Sequence, residues 1–255
     1  MPLQTWLELA VAAFAAGAVD AIMGGGGMLQ VPALFSLLPG LAPAALLATN
    51  KFASLAGTCG AALRYTAALP PRWTVALPAI AAAFAAATLG AYVLTLVAAE
   101  PLRKALPFVL VALWIYTATN DLGMVHAPRH APHREAALAA GNAGAIGFYD
   151  GFFGPGAGAF YKLVFVRALG FDFLNAAAPA KLANVASNLA AVLVLAAGGL
   201  VLWKLALFLA AANFLGGQVG SRIALRYGNR LIRWAFLLVV AALIAKTFRD
   251  AYLVF

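Results

Sequence analysis

The chain has 255 residues, of which 65% are hydrophobic and 10% charged, and its mean hydropathy is +0.94. Because soluble domains carry about 25% charged residues, this composition excludes an ordinary soluble globule and indicates an integral membrane protein. The formal net charge is +9, but the basic residues are scattered over short loops instead of gathered on one face, which argues against nucleic-acid binding.

Apolar runs bounded by charges and turn residues predict an all-α polytopic membrane protein with eight to ten membrane segments. The runs cover residues 6–23, 28–38, 43–69, 73–99, 105–122, 136–153, 160–169, 173–197, 203–225 and 231–255. Residues 126–135, which include Pro128 and Pro132, are predicted to be the main extramembrane linker. The predicted organisation is a first membrane repeat over 1–123, a connecting loop over 124–135 and a second repeat over 136–255, together one structural domain.

The two halves repeat each other at an offset of 130 residues. The offset places Asp20 on Asp150 and Lys51 on Lys181 without a gap. Other coincident pairs are Gly17 and Gly147, Gly24 and Gly154, Gly26 and Gly156, Trp73 and Trp203, Gly90 and Gly220, and Arg103 and Arg233. Since coincident charged and aromatic residues at one offset do not arise easily by chance, the sequence predicts an internal duplication.

Each half contains five apolar runs, one of them too short to span upright. If all five cross the membrane the halves are inverted, whereas a re-entrant short run makes them parallel. The inverted model puts most loop arginines on the cytoplasmic side, as orientation by positive charge requires, and the parallel model splits them evenly. On the inverted model the inside residues are Arg64, Arg72, Arg129, Arg134, Arg167, Arg222, Arg226, Arg230 and Arg233, and the outside ones are Arg103, Lys104, Lys204, Lys246 and Arg249. We therefore predict inverted repeats.

Two glycine-rich runs interrupt apolar segments at corresponding positions of the halves. The first comprises Gly24, Gly25, Gly26 and Gly27, and the second contains Gly154, Pro155, Gly156 and Gly158. Glycine loses the most backbone entropy in a helix and proline lacks a backbone donor, so both runs should break helices. Matched breaks of this kind are typical of a transporter's substrate site, where helix N-termini bind an anion. Close helix packing through small residues is the alternative.

Lys51 and Lys181 occupy matched positions inside long apolar runs. Lys51 lies roughly 12 Å along its predicted helix, close to the middle of a bilayer. A lysine there should face a cavity or a partner, because its burial in lipid costs at least a few kcal/mol; snorkelling to an interface is the alternative. Polar neighbours of the lysines follow helical spacing: Asn50 and Ser54 lie four residues apart, as do Asn184 and Asn188, and Ser187 lies three residues after Asn184. We predict that these groups bind an oxyanion, with lysine as the point charge.

Asp20 and Asp150 each precede a glycine run by four residues. Each is expected to cap a half-helix or pair with a lysine, and coupling to a proton is the alternative. His126, His130 and His133 fall in the predicted linker, where the prolines favour a solvated loop over a metal site. The single cysteine, Cys59, cannot form an internal disulfide, and no cofactor or metal is expected.

The sequence around both breaks resembles a known family. The stretches GGGGMLQVPAL and LATNKFASLAGTCGAALRY, and then GFFGPGAGAF and APAKLANVASNLAAV, are similar to the paired signatures of the sulfite exporter TauE/SafE family, also called the toluene sulfonate uptake permease family. The resemblance extends from about Val11 to Thr247 and implies an inner-membrane transporter of sulfite, sulfoacetate or related sulfonates. One departure is Pro179-Ala180, where the first half has Thr49-Asn50, so the hydrogen-bond donors of the two halves should differ.

These patterns together predict a secondary transporter, working as an exporter, that binds a small sulfur-containing anion near the bilayer midplane between the repeats. A passive anion channel is the alternative. An intramembrane enzyme is less favoured, because no metalloprotease or serine-hydrolase motif is present. The expected partners are the anion and the lipid bilayer of a bacterial inner membrane, with no nucleic acid, and a homodimer is left open.

Overall fold

The computed structural model describes residues 1–97 and 131–227, together with scattered helical positions between residues 101 and 119 and between 241 and 249. In the two continuous ranges the chain forms eight helices and no β-strand. They are α1 (Leu3–Met23), α2 (Gly27–Leu37), α3 (Pro43–Ala68), α4 (Trp73–Leu96), α5 (Pro132–Phe152), α6 (Ala157–Arg167), α7 (Phe173–Ala197) and α8 (Trp203–Tyr227). The segments Leu3–Met23, Trp73–Leu96 and Leu174–Ala197 are long and apolar enough to cross a membrane. The prediction of an all-α polytopic membrane protein is confirmed.

The start of α5 differs from its prediction. We expected a linker to continue to Glu135, whereas the helix begins at Pro132. Pro132 occupies the first turn, where the missing backbone N–H of proline costs nothing because no partner exists there. His133 is therefore exposed on the first turn of a helix and not in a loop. His126 and His130 lie outside the described residues.

The helices pack in two closely fitted pairs, α1 with α8 and α4 with α5. Glycines allow this approach, since a Cβ on Gly220 would overlap the backbone oxygen of Ala18, and one on Gly90 would overlap that of Phe148. Small residues commonly permit such contacts between membrane helices. At an offset of 130 residues α1 corresponds to α5 and α4 to α8, so the two packed pairs are counterparts of each other.

Corresponding helices of the two halves run in opposite directions. The beginning of α3 lies beside the beginning of α8, where the Leu202 backbone N–H donates to Thr49 Oγ1 at 3.1 Å. The end of α3 lies beside the beginning of α7, where the Arg72 guanidinium sits 4.6 Å from the centre of the Phe171 ring. Since α7 ends where α8 begins, α3 and α7 are antiparallel. The orientation of the halves relative to a membrane stays a prediction.

Two further pairs of counterparts, α1 with α5 and α4 with α8, are also antiparallel. Arg72 Nη2 donates to Glu135 Oε2 at 2.7 Å, so α4 and α5 both begin at the end of the molecule that holds Arg72. The rings of Trp6 and Phe208 lie 4.8 Å apart, so α1 and α8 both begin at the opposite end. The end that holds Arg72 is basic, because the helix directions also bring other arginines there. They are Arg134, Arg167, Arg222 and Arg226.

The topology prediction also rests on five basic residues whose structure is not described. Arg103, Arg129, Arg230, Arg233 and Lys246 lie outside the described residues. Lys204 lies in the first turn of α8, at the end opposite Arg72. The basic residues whose end the packing establishes are thus distributed as the inverted model expects.

Candidate functional site

Both glycine-rich runs break a helix, as predicted. Helix α1 ends at Met23, and Gly24 follows with a φ of 87°, its N–H donating to Asp20 O at 2.8 Å. In the second half α5 ends at Phe152, and Gly154 and Gly156 have φ values of 97° and 81°. These left-handed conformations suit glycine because a Cβ would clash with the backbone. In the turns that lead into α2 and α6, Met28 N–H donates to Gly25 O at 3.0 Å and Ala157 N–H donates to Gly154 O at 3.1 Å.

The two breaks touch each other. A Cβ on Gly24 would overlap the backbone of Gly158, and one on Gly158 would lie 2.6 Å from Gly24 O. A Cβ on Gly27 would lie 3.1 Å from Pro155 Cα. The beginnings of α2 and α6 therefore meet in the interior, with no room for side chains between them.

A small cavity lies at this meeting point, with a volume of about 20 Å³. That is room for about one water molecule, which needs roughly 10–15 Å³ by the same measure. The lining is mostly polar and is drawn from both halves of the chain. It consists of Asp20, Gly24, Gly27, Asn50, Lys51, Ser54, Thr58, Asp150, Gly154, Gly156, Ala157, Gly158, Asn184 and Asn188.

Lys51 forms an ion pair with Asp150 across the two repeats. Its Nζ donates to Asp150 Oδ1, and both side chains are 3% exposed. The second oxygen of Asp150 accepts a hydrogen bond from Ser187 Oγ. Lys51 also packs against the break, since a Cβ on Gly154 would meet its ammonium group at 2.5 Å. Its ammonium group is thus held in the interior instead of reaching to an interface.

Lys181 forms the reciprocal ion pair with Asp20. Its Nζ lies 2.6 Å from Asp20 Oδ2 and also donates to the backbone oxygen of Asp20. Thr58 Oγ1 donates to the same carboxylate oxygen at 3.1 Å. Each repeat thus supplies a lysine to the aspartate of the other, but Lys181 itself does not line the cavity.

The other predicted site residues divide between the cavity and its surroundings. Asn184 accepts from Asn188 Nδ2 at 2.8 Å through its side-chain oxygen, and both residues line the cavity with Asn50 and Ser54. Asn50 is 3% exposed, and its side-chain oxygen has no partner among the described residues. Away from the cavity lie Gly25, Gly26, Lys181 and Ser187.

The sequence analysis missed two residues that line the cavity and one buried lysine near the end of α1. Thr58 lies seven residues after Lys51, two helical turns along the same face, and that spacing could have identified it. Ala157 lines the cavity at the beginning of α6, where its side chain has no distinguishing chemistry. Lys162, for which the sequence indicated no role, is 1% exposed and donates to Ile22 O at 2.7 Å, near the end of α1.

Comparison with known proteins identifies related membrane transporters. The model of the family described as "Sulfite exporter TauE/SafE" matches residues 9–247. The chain is 38% identical over 245 residues to "Probable membrane transporter protein YfcA" of Escherichia coli K12, covering 94% of this chain and 88% of that protein. It is also 38% identical to "Probable membrane transporter protein ORF9" of a Sinorhizobium species, covering 95% and 92% of the two chains.

A third relative, "Probable membrane transporter protein" of Haemophilus influenzae, is 33% identical over 93% of this chain and 92% of its own. No solved structure matches significantly. The match to the family extends over both helix breaks, both lysines and both aspartates. The chain belongs to the sulfite exporter TauE/SafE family of membrane transporters.

Proposed function

We propose that this protein is a secondary transporter that exports a small sulfur-containing anion, such as sulfite, sulfoacetate or another sulfonate. The anion binds at the cavity between the repeats, and the repeats move against each other to expose it alternately to the two sides. Family membership supports the transporter class, and the family description supports the substrate class. The bacterial relatives support a multi-pass location in the inner membrane.

The observation that carries the proposal is the meeting of two helix beginnings at a cavity that also holds a lysine. The starts of α2 and α6 direct the positive ends of their dipoles toward the break region. Lys51 adds an ammonium group, and Asn50, Ser54 and Asn188 add polar side chains. The oxygens of a sulfite or sulfonate group require this combination of donors and positive charge.

The small volume of the cavity supports a carrier over an open pore. Its volume of about 20 Å³ is too small for a hydrated anion, and most of its lining residues are buried. Binding of sulfite therefore requires the breaks or the ion pairs to move apart. Since both ion pairs cross between the repeats, such a movement changes how the repeats pack.

The proposal is tested with purified protein in proteoliposomes, by following radiolabelled sulfite and sulfoacetate. We expect Lys51→Ala to lower transport at least tenfold, because loss of a charged hydrogen bond removes about 1.5–3 kcal/mol. Lys181→Ala should also lower transport. Lys204→Ala, at the exposed beginning of α8, is the matched control and should transport normally. Unchanged transport in both Lys51→Ala and Lys181→Ala would reject the site.

The same vesicles distinguish a carrier from a channel. A carrier saturates with substrate and accumulates the anion against its gradient when a driving force is imposed. A passive channel only dissipates the gradient. Failure to accumulate sulfite under any imposed ion gradient, with dissipation retained, would replace the carrier by the channel.

A further inference from the structure

We propose that Asp150 is the proton-binding group of this transporter: an anion that occupies the cavity takes Lys51 from Asp150, and Asp150 takes up one proton from solvent in exchange. The inference rests on the proposed function, because it specifies how the same cavity accepts an anion. Lys51 stays protonated throughout, so one anion and one proton are bound together.

The lysine that faces the cavity already has an anionic partner. Lys51 and Asp150 carry no net charge together, and both side chains are 3% exposed. A neutral pair offers little attraction to an anion, and the carboxylate itself repels one. Lys51 can therefore act as the cation of an anion site only after the Asp150 carboxylate is moved or neutralised.

The size of the cavity favours neutralisation. With room for about one water molecule, an anion oxygen within hydrogen-bond distance of Lys51 also lies near Asp150. A nearby like charge makes the protonated form of a carboxylic acid more favourable, so the anion draws a proton onto Asp150. Protonated, Asp150 becomes a hydrogen-bond donor. The unpartnered side-chain oxygen of Asn50 lines the same cavity and can accept from it or from a bridging water.

In the described part of the chain, Lys51 is the cationic side chain that pairs with Asp150, and the hydroxyl groups around Asp150 are uncharged. Helix α7 contributes the Ser187 hydroxyl, and Tyr161 of α6 and Tyr149 of α5 interact with its charge as neutral phenols. The only titratable residue of α4 is Tyr92, whose side chain is 56% exposed. Among the described residues no second ammonium or guanidinium group lies within ion-pair distance of Asp150.

Lys162 of α6 and Lys181 of α7 are instead placed with Asp20. Lys162 donates to Ile22 O at 2.7 Å, and Lys181 pairs with the Asp20 carboxylate. Removing Lys51 from Asp150 therefore leaves the carboxylate without a positive partner in the described part of the chain. Taking up a proton is then the way for it to remain buried.

The Asp20 carboxylate also lines the cavity, but its partner Lys181 lacks the features that the exchange needs. Lys181 does not line the cavity, and it is also bound to the backbone oxygen of Asp20. Thr58 gives the Asp20 carboxylate a further donor at 3.1 Å. An anion in the cavity cannot take Lys181 without breaking a backbone contact at the end of α1. The two repeats thus provide one exchanging pair and one fixed pair.

Isothermal titration calorimetry on the purified full chain in lipid nanodiscs tests the proposal. The probe is methanesulfonate, whose single negative charge does not change between about pH 5 and pH 8, so every proton counted belongs to the protein. Titrations in two buffers of different ionisation enthalpy give the number of protons taken up per anion. We expect close to one proton, and an affinity that rises up to about tenfold for each unit by which the pH is lowered.

The two aspartates provide matched variants. Asp150→Asn should bind methanesulfonate without proton uptake and with an affinity independent of pH. Asp20→Asn should still take up a proton for each anion bound, whatever its affinity. Proton uptake that persists in Asp150→Asn, or disappears in Asp20→Asn, would assign the proton elsewhere and overturn the proposal.

The number of protons that the wild-type protein takes up per anion tests the exchange even if Asp150→Asn does not fold. Binding of methanesulfonate with no proton uptake at any pH in this range would overturn the exchange and leave the proposed function intact. If the wild-type protein binds neither methanesulfonate nor sulfite, the proposed function fails, and the exchange fails with it.

Discussion

Gly24 is the residue at which backbone conformation and packing constrain the site most tightly. It has a φ of 87°, and a Cβ there would overlap the backbone of Gly158 in the other break. A side chain would therefore both strain the left-handed conformation and separate the beginnings of α2 and α6. This position requires direct contact between two backbones, which no polar side chain can replace.

We predict that Gly24→Ala lowers the melting temperature and abolishes most transport. The left-handed conformation costs an alanine about 1–2 kcal/mol, and overpacking adds about 1–3 kcal/mol. Thermal unfolding in detergent followed by tryptophan fluorescence, together with sulfite flux, measures both effects. Gly40→Ala is the control, because a Cβ at Gly40 has nothing within 4 Å. Equal melting temperatures and fluxes for the two variants would contradict this account of the break.

The side chains at the site were predictable as members of a repeat, but their pairing was not. An offset of 130 residues identifies Lys51 with Lys181 and Asp20 with Asp150. It does not tell whether a lysine meets the aspartate of its own repeat or that of the other. The structure shows the cross-repeat pairing, and it shows that only Lys51 lines the cavity. The two breaks differ in sequence, but the sequence alone does not show this asymmetry.

At the scale of helices, glycines determine how closely two elements approach. Gly90 on α4 and Gly220 on α8 are counterparts at the repeat offset, and each lies against the backbone of its packed neighbour. Because a membrane offers helices no hydrophobic driving force to associate, van der Waals packing between closely approaching backbones is a major source of their stability. The two positions should therefore respond alike to substitution.

We predict that Gly90→Ala and Gly220→Ala each destabilise the protein by about 1–3 kcal/mol through overpacking. Gly144→Ala on α5 is the control, since its Cβ would lie 3.8 Å from the Cβ of Ala82, an ordinary contact. Alanine in a helix interior is favoured over glycine by about 0.5–1 kcal/mol, so the control should melt no lower than wild type. Thermal unfolding of all three variants in one detergent makes the comparison, and a control as unstable as the other two would refute it.

Within residues 1–97 and 131–227 the extents of the helices were predicted well, except where a proline was taken as a breaker; the predicted runs over 105–122 and 231–255 lie largely outside the described residues. The predicted run over 43–69 became α3 over Pro43–Ala68, and the run over 173–197 became α7 over Phe173–Ala197. Hydrophobicity and turn residues determine these boundaries. Pro132 was misjudged because the same residue that ends a helix interior is favoured in a first turn.

For the whole molecule, the antiparallel course of corresponding helices supports the prediction that the halves are inverted in the membrane. The end that holds Arg72 is basic, and basic loops stay cytoplasmic. Ala68 at the end of α3 and Gly198 after α7 are counterparts at the repeat offset, and both are exposed. The packing puts Ala68 at the basic end and Gly198 at the other, so the inverted model places them on opposite sides of the bilayer.

We predict that single cysteines at these positions, in a Cys59→Ala background, react differently with a membrane-impermeant maleimide. In intact cells Gly198→Cys should be labelled and Ala68→Cys should not, while permeabilised cells should label both. The background variant, which has no cysteine, must remain unlabelled in either case. Labelling of both positions from outside, or of neither, would place the two counterparts on one side. It would thereby contradict the inverted arrangement of the halves, whereas labelling of Ala68→Cys alone would show that the basic end does not mark the cytoplasmic face.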